Sequence, residues 1–313
     1  MKRFLIRIAI TAVLTGVMVV IASTVMLLRK DQLSYYSHER NVALAYDRLQ
    51  ALKDTNKIVI IAGSSAGFSI NSRMIEQAFH MPVVNTGTHG GIGTRMQFEL
   101  YSDLLREGDI VIFCPEYGTK KKTLYGETTL LRILSTHMPE AYSKFSLAQW
   151  LFQFKNIGIH CRDAHEHRKA EAFDGPYSEK ALNEYGDIEW ERPHQDTISY
   201  YGMSSEMDED LLAFYQYIHS NTQERGIHLL FLPPTFMKGN FEQNAEHISW
   251  LANCLKQNGI PWQAEPSAYA FDDSLFYDTP YHMTPEGTVK RTEVLISDLQ
   301  KYLRSLNTTD KHE

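Results

Sequence analysis

The chain has 313 residues, 22% charged and 43% hydrophobic, which suits one sizeable domain or one domain with a large insertion. Its net charge of -7 argues against a nucleic-acid partner, which would require a basic face. Three cysteines (Cys114, Cys161 and Cys254) form no CxxC pair and no zinc spacing, and Cys114 lies in an apolar run where a buried free thiol is expected.

Residues Ile8 to Leu28 form an uncharged run of 21 residues, preceded by Lys2, Arg3 and Arg7 and followed by Arg29 and Lys30. A helix of about 20 residues spans a bilayer core. A secretory signal has a shorter apolar region of about 7–15 residues, so an uncleaved anchor is expected rather than a cleaved signal. The heavier positive charge on the N-terminal side predicts a cytoplasmic N-terminus. The main domain is then extracytoplasmic, on the outer side of a bacterial cytoplasmic membrane. On this reading residues 1–30 are the anchor and 31–56 a polar, helix-compatible stalk. Residues 57–306 are the main domain, with an insertion at 118–205, and 307–313 are a tail.

The main domain opens on KIVIIAGSSAGFS, Lys57 to Ser69, an apolar strand breaking into small residues. Short apolar runs bounded by glycine read as buried parallel strands. A short amphipathic segment follows from Asn71 to Phe79. Met81 to Asn85 predicts a second strand, running into Thr86-Gly87-Thr88-His89-Gly90-Gly91. A helix is expected over Thr94 to Arg106, then a third strand from Ile110 to Cys114, ending in Pro115-Glu116-Tyr117. Such alternation predicts a parallel sheet with helices on both faces. It stops over 118–205, where Ser146 to Phe154 reads as a buried helical piece. A connection that long is expected to act as a lid or substrate cap. Alternation resumes with a helix over Glu206 to Arg225 and a strand from His228 to Leu232. A helix over Phe241 to Gln257 and a short edge strand at Ile260-Pro261-Trp262 come next. Thr284-Pro285 gives an N-cap and an N1 proline for a last helix to about Leu306.

In an open parallel sheet, ligands sit outside the carboxyl ends of the strands. Ser65, Gly90 and Glu116 follow strands one, two and three, and Asp278 and His282 precede the last helix, so all fall on one rim. A serine hydroxyl needs a base, and the base needs an orienting partner. Ser65 is read as the nucleophile, His282 as the base and Asp278 as its partner. Backbone N–H groups of Ser65 and Gly90 are candidates for an oxyanion hole. Asn85 and Glu116 are candidate neighbours of the substrate or oxyanion. His160, His165, His167 and His194 lack the spacing and carboxylates of a metal site and read as solvated histidines of the insertion. No cofactor is expected.

Gly63-Ser64-Ser65-Ala66-Gly67 also fits the G-x-S-x-G elbow of α/β-hydrolases, but there the elbow follows several earlier strands and the acid and base come from separate loops. A serine after the first strand and a late Asp/His pair before the last helix instead resemble the SGNH/GDSL hydrolase superfamily, over roughly residues 57–117 and 206–306. The resemblance implies a flavodoxin-like three-layer α/β sandwich. Gly63-Ser64-Ser65 stands for the Gly-Asp-Ser block, Gly90 for the second-block glycine, and Asp278-Thr279-Pro280-Tyr281-His282 for Asp-x-x-His with one residue added. Tyr281 to Gly287 is similar to the continuation in membrane-anchored members. Cys114-Pro115-Glu116-Tyr117 replaces the Gly-x-Asn-Asp block. Where the family asparagine donates to the oxyanion, an ionised Glu116 would repel it.

The anchor, outer domain and insertion also resemble proteins that O-acylate cell-envelope polymers. These include the DltD-type proteins of teichoic-acid D-alanylation and SGNH-like exopolysaccharide acetyltransferases, which act beside a polytopic membrane O-acyltransferase. The resemblance implies acyl transfer through a serine ester to a glycan or polymer hydroxyl. An esterase or deacetylase of the same fold is the alternative. A non-enzymatic scaffold binding a glycan or membrane partner is a third reading, and a flavodoxin-like phosphate loop at Gly63–Ser69 a fourth that leaves Asp278 and His282 unexplained.

Overall fold

The computed structural model describes residues 37–166, 174–200 and 202–309, with scattered positions between 3 and 18. Among the described residues no helix is long and apolar enough to cross a membrane. The expected span Ile8–Leu28 lies for the most part outside them.

Four strands form the centre: β1 (Ile58–Ile61), β2 (Val83–Asn85), β3 (Ile110–Phe113) and β4 (His228–Phe231). All pair in parallel, in the order β2-β1-β3-β4. Every residue of β1 and β3 is buried. Because both faces of the sheet are covered, these strands are continuous apolar runs rather than alternating ones. Val59, Ile61, Val111, Phe113 and Phe231 point into one core. Helices α1 (Asn41–Ala51), α4 (Thr94–Glu99), α6 (Thr128–His137), α8 (Glu209–Glu224) and α10 (Ala245–Gln257) contribute buried residues to the same core. Ile58, Ile60, Ile110, Ile112 and Leu230 point the other way. There they meet α3 (Ser72–Phe79) and the long terminal helix α11 (Pro285–Thr309). The remaining helices are α2 (Ser64–Gly67), α5 (Lys121–Tyr125), α7 (Leu147–Glu166) and α9 (Lys238–Gln243).

The polar end of the sheet is closed by a fully buried ion pair. Lys57 Nζ lies 2.7 Å from Asp109 Oδ2, both side chains having no exposure. Asp109 also accepts from the N–H groups of Lys57 and Arg106.

Several expectations change. The segment 260–262 is not a strand: Gln263 reaches Phe231 instead, its N–H donating to the Phe231 carbonyl at 2.9 Å. Pro261 has no N–H to continue a ladder. A separate two-stranded parallel pair, β5 (Phe236–Met237) with β6 (Ala270–Phe271), forms beside the loop that carries Asp278. The helix expected over Thr94 to Arg106 ends at Glu99 and is followed by a 3-10 turn at Ser102–Leu104. The stretch 37–51 is no free stalk. Val42, Ala45 and Leu49 of α1 are buried in the core, and the fully buried Glu39 pairs with Arg132 of α6. Part of the insertion packs into the domain itself, Leu130, Leu131, Ile133 and Leu134 of α6 belonging to the same core. The piece expected to be buried at 146–154 starts α7, which leaves Leu147, Leu151 and Phe154 exposed.

Candidate active site

The sheet order reverses between β1 and β3: the chain passes from β1 to β2 on one side, then returns to lay β3 on the other. The crevice at the carboxyl ends of those two strands is the ligand position of such sheets. Ser64 stands after β1 and Glu116 after β3, both lining a cleft of about 500 Å³ there.

At Gly63 the chain is extended (φ -77°, ψ -159°) before turning into α2. A Cβ on Gly63 would come within 2.7 Å of Glu116 Oε1 and 2.9 Å of Gly90 Cα, so only glycine fits. Successive helical side chains diverge by about 100°, and the two serines part accordingly. Ser64 is half-exposed in the cleft and its Oγ lies 2.9 Å from His282 Nε2. Ser65 has no exposure, and its Oγ has no hydrogen-bond partner. The serine brought to the histidine is therefore Ser64, which corrects the expectation placed on Ser65. What Ser65 contributes is backbone: its carbonyl accepts from Arg291 Nη1 of α11 at 2.8 Å, and its N–H faces the Glu116 carboxyl.

The structure brings Asp278 and His282 together. His282 Nδ1 lies 2.9 Å from Asp278 Oδ1. Burial opposes ionisation of Asp278, but the bonds from His282 and Tyr177 outweigh it and hold the carboxyl below its ordinary range. A carboxylate there fixes the proton on Nδ1 and leaves Nε2 as the basic nitrogen, the one facing Ser64. The imidazole stacks on Phe68, ring centres 4.2 Å apart and planes at 13°. Its backbone N–H donates to Thr279 Oγ1, and its carbonyl accepts from Tyr277 N–H. Just beyond, Thr284 Oγ1 accepts from Gly287 N–H and starts α11.

The insertion supplies residues that the sequence did not reveal. The Tyr177 hydroxyl donates to Asp278 Oδ2 and lies 3.2 Å from His282 Nδ1. Arg192, almost fully buried, clasps the carbonyls of Met283 and Phe68 and the hydroxyl of Thr288, so it ties the histidine loop to the serine turn. Tyr177 lies in an irregular stretch with no periodicity to mark it.

Glu116 fills the place where an oxyanion would need donors. Its carboxyl packs against Gly63 and Gly90, and a Cβ on Gly90 would meet Glu116 Oε2 at 2.7 Å. The residue is half-buried and lines the cleft, its carboxyl lying against the two glycines. Burial raises its pKa, against the opposing pull of His282 and the Ser65 N–H. Gly90 lies in the cleft wall. Asn85 does not. It is wholly buried, giving Nδ2–H bonds to the Ala66 carbonyl at 3.1 Å and to Asp187 Oδ1 at 2.8 Å, and so braces α2 from behind.

His89 also lines the cleft. Its Nδ1 accepts from Gly91 N–H at 2.9 Å, and burial, with the charges of Arg132 and His282, pushes its pKa down to about 4. It is neutral at ordinary pH. Among the described residues no group of three metal-binding side chains comes together. His160 is buried beside Ser135 rather than solvated, and His194 Nδ1 bonds the Phe276 carbonyl. The side chains of His165 and His167 lie outside the described ones.

No protein-family model, curated protein or solved structure matches this chain.

Proposed function

We propose that the protein is a serine acyl-transfer enzyme in which Ser64 is the nucleophile, His282 the general base and Asp278 its orienting carboxylate. The observation that carries this reading is the unbroken relay from Ser64 Oγ through both nitrogens of His282 to Asp278, with 2.9 Å at each link. Ser64 Oγ attacks an ester carbonyl while its proton passes to His282 Nε2. The developing oxyanion lies toward the Ser65 N–H and Glu116. A neutral Glu116 donates its own O–H to that oxygen, as a carboxylic acid kept protonated by its site can. The tetrahedral adduct collapses, and the leaving alcohol takes the proton from His282. An acceptor hydroxyl, activated by His282 in turn, releases the acyl group from Ser64.

The cleft suits a polyol acceptor. Thr94, Gln97, Thr119, Thr123 and Ser204 line it with hydroxyl and amide groups. Taken with the apolar run Ile8–Leu28 as an anchor, this supports O-acyl transfer to a cell-envelope or exopolysaccharide glycan outside the cytoplasmic membrane, beside a polytopic O-acyltransferase. Water as acceptor gives an esterase with the same residues. One observation favours a non-enzymatic scaffold instead: the Glu116 carboxyl already lies against Gly63 and Gly90, where an oxyanion would sit.

The test is acyl transfer from an aryl acetate with and without a glycan acceptor. Acceptor acetylation above acetate release, abolished in both Ser64→Ala and His282→Ala, supports transfer. Acetate release alone indicates the esterase. No Ser64-dependent turnover by the folded chain leaves the scaffold.

A further inference from the structure

Helix α7 is built inside out. A surface helix ordinarily turns its apolar stripe to the core and its polar stripe to water. At 3.6 residues per turn, Gln149, Gln153, Asn156 and His160 fall within an arc of about 60°, and all four are buried. Gln149 and Gln153 both give Nε2–H bonds to the Tyr125 carbonyl, at 2.9 and 2.7 Å, and Asn156 Nδ2 donates to Gln153 Oε1 at 2.9 Å. The opposite side carries Leu147, Leu151, Phe154 and Ile159, exposed by 75%, 69%, 68% and 40%. The inward amides satisfy backbone carbonyls of the turn after α5, so the helix is fixed with its apolar stripe outward.

We infer that this stripe of α7 seats on the surface of the lipid bilayer, as an in-plane amphipathic helix that sets how the cleft faces the membrane. The inference rests on reading Ile8–Leu28 as the anchor, and three observations carry it. Eight residues, 29–36, separate that run from the first turn of the domain at Ser37–Arg40, and they reach at most about 28 Å when fully extended. That turn packs on α6, which packs on α7, so the tether meets the domain on the α7 side of the sheet. From Leu147 to Arg162 the helix has no carboxylate, Asp163 and Glu166 standing only at its far end, and Lys155 is exposed on the apolar side. A cation beside exposed leucine and phenylalanine matches an anionic headgroup layer over acyl chains.

The test uses the full chain reconstituted in vesicles of phosphatidylcholine and phosphatidylglycerol, in a Cys161→Ser, Cys254→Ser background; Cys114 is buried. An environment-sensitive fluorophore is placed at Leu151→Cys, at Phe154→Cys and, as control, at Glu293→Cys on α11, which covers the other face of the sheet. The expected result is blue-shifted emission at positions 151 and 154, quenched by nitroxide-labelled lipid, with water-like, unquenched emission at 293. Labels at 151 and 154 that behave like 293, in a chain that floats with the vesicles, overturn the docking and leave the anchor standing. Blue-shifted labels untouched by lipid nitroxide overturn it in favour of a second protein surface. A chain that does not float overturns the anchor and the docking together.

Discussion

His282 Nε2 lies 2.9 Å from Ser64 Oγ, while the neighbouring Ser65 is turned into the protein with its hydroxyl unpaired. One step along a helical turn separates a serine poised for chemistry from one that only positions backbone. The two serines are predicted to respond oppositely to truncation. Ser64→Ala loses ester turnover by about 10⁴-fold or more, as removal of a triad nucleophile does. Ser65→Ala keeps turnover within about tenfold and leaves stability unchanged or raised, because a buried unsatisfied hydroxyl contributes nothing favourable. Initial rates with an aryl ester, together with thermal melts, check both.

The acid end of the relay is held by two donors, His282 and Tyr177. Asp278→Asn is expected to lower kcat by about 10⁴-fold by allowing the wrong imidazole tautomer. Tyr177→Phe removes one donor and keeps the tautomer, so its loss is far smaller, about tenfold. Single-turnover acylation rates of the two variants separate the roles.

The pH profile should carry the signature of Glu116. Burial raises its pKa above the ordinary carboxylate value of 4.5. Below that raised value the group is neutral and donates to the oxyanion; as pH rises through it, a carboxylate forms and repels the same charge. Turnover therefore falls on the alkaline side for this group. Its stability contribution runs the same way, fully present below pH 4.5 and lost as pH rises through the folded value. Glu116→Gln keeps a neutral donor, so it retains activity and loses the alkaline limb. Glu116→Ala costs about 10²-fold, the scale of a lost oxyanion donor. Profiles of kcat/KM for the three proteins decide it.

Acid is expected to destabilise the fold through two histidines held neutral. Burial pushes His38 down to about 3 and His89 to about 4, from an ordinary 6.5. Depressed folded values give stability that is complete above pH 6.5 and is lost as pH falls toward 4 and then 3. The melting temperature should decline over that window, and less steeply in His38→Gln. A slope in that variant as steep as in the parent protein would assign the acid sensitivity to other groups.

At the opposite end of the sheet, Asp109→Asn should leave Lys57 charged and unpaired in the core, costing about 3–5 kcal/mol. Lys57→Met with Asp109→Asn removes both charges while keeping an acceptor for the backbone N–H groups, and should cost less. Urea midpoints of the two variants make the comparison.

Much of this was readable in the chain. β1 and β3 announced themselves as apolar runs because both faces of the sheet are covered, and the rule for open sheets put the glycine, glutamate and histidine loops on one rim. The choice between Ser64 and Ser65 was not readable. The motifs place their serine two residues after Gly63, at Ser65, and only the phase of the helix at Gly63 shows that the side chain facing the cleft is that of Ser64. Asn85 looked like a rim residue because it ends β2, yet its amide is taken up by Ala66 and Asp187, the latter from the insertion. For α7 the period was visible but its direction was not. A stripe of leucine and phenylalanine implies a covered face, and the sequence does not say whether the domain or something outside covers it. Asn41 of α1 donates to the carbonyls of Asn85 and Gly87, a contact no local pattern foretells and part of why the expected stalk belongs to the domain.

The most direct measurement of the central claim is covalent. The folded chain is treated with a fluorophosphonate and the modified residue located by peptide mass spectrometry. Phosphonylation at Ser64, lost in His282→Ala and retained in Ser65→Ala, is the predicted result. Modification at Ser65, or none on a chain whose melting transition shows it folded, would contradict it.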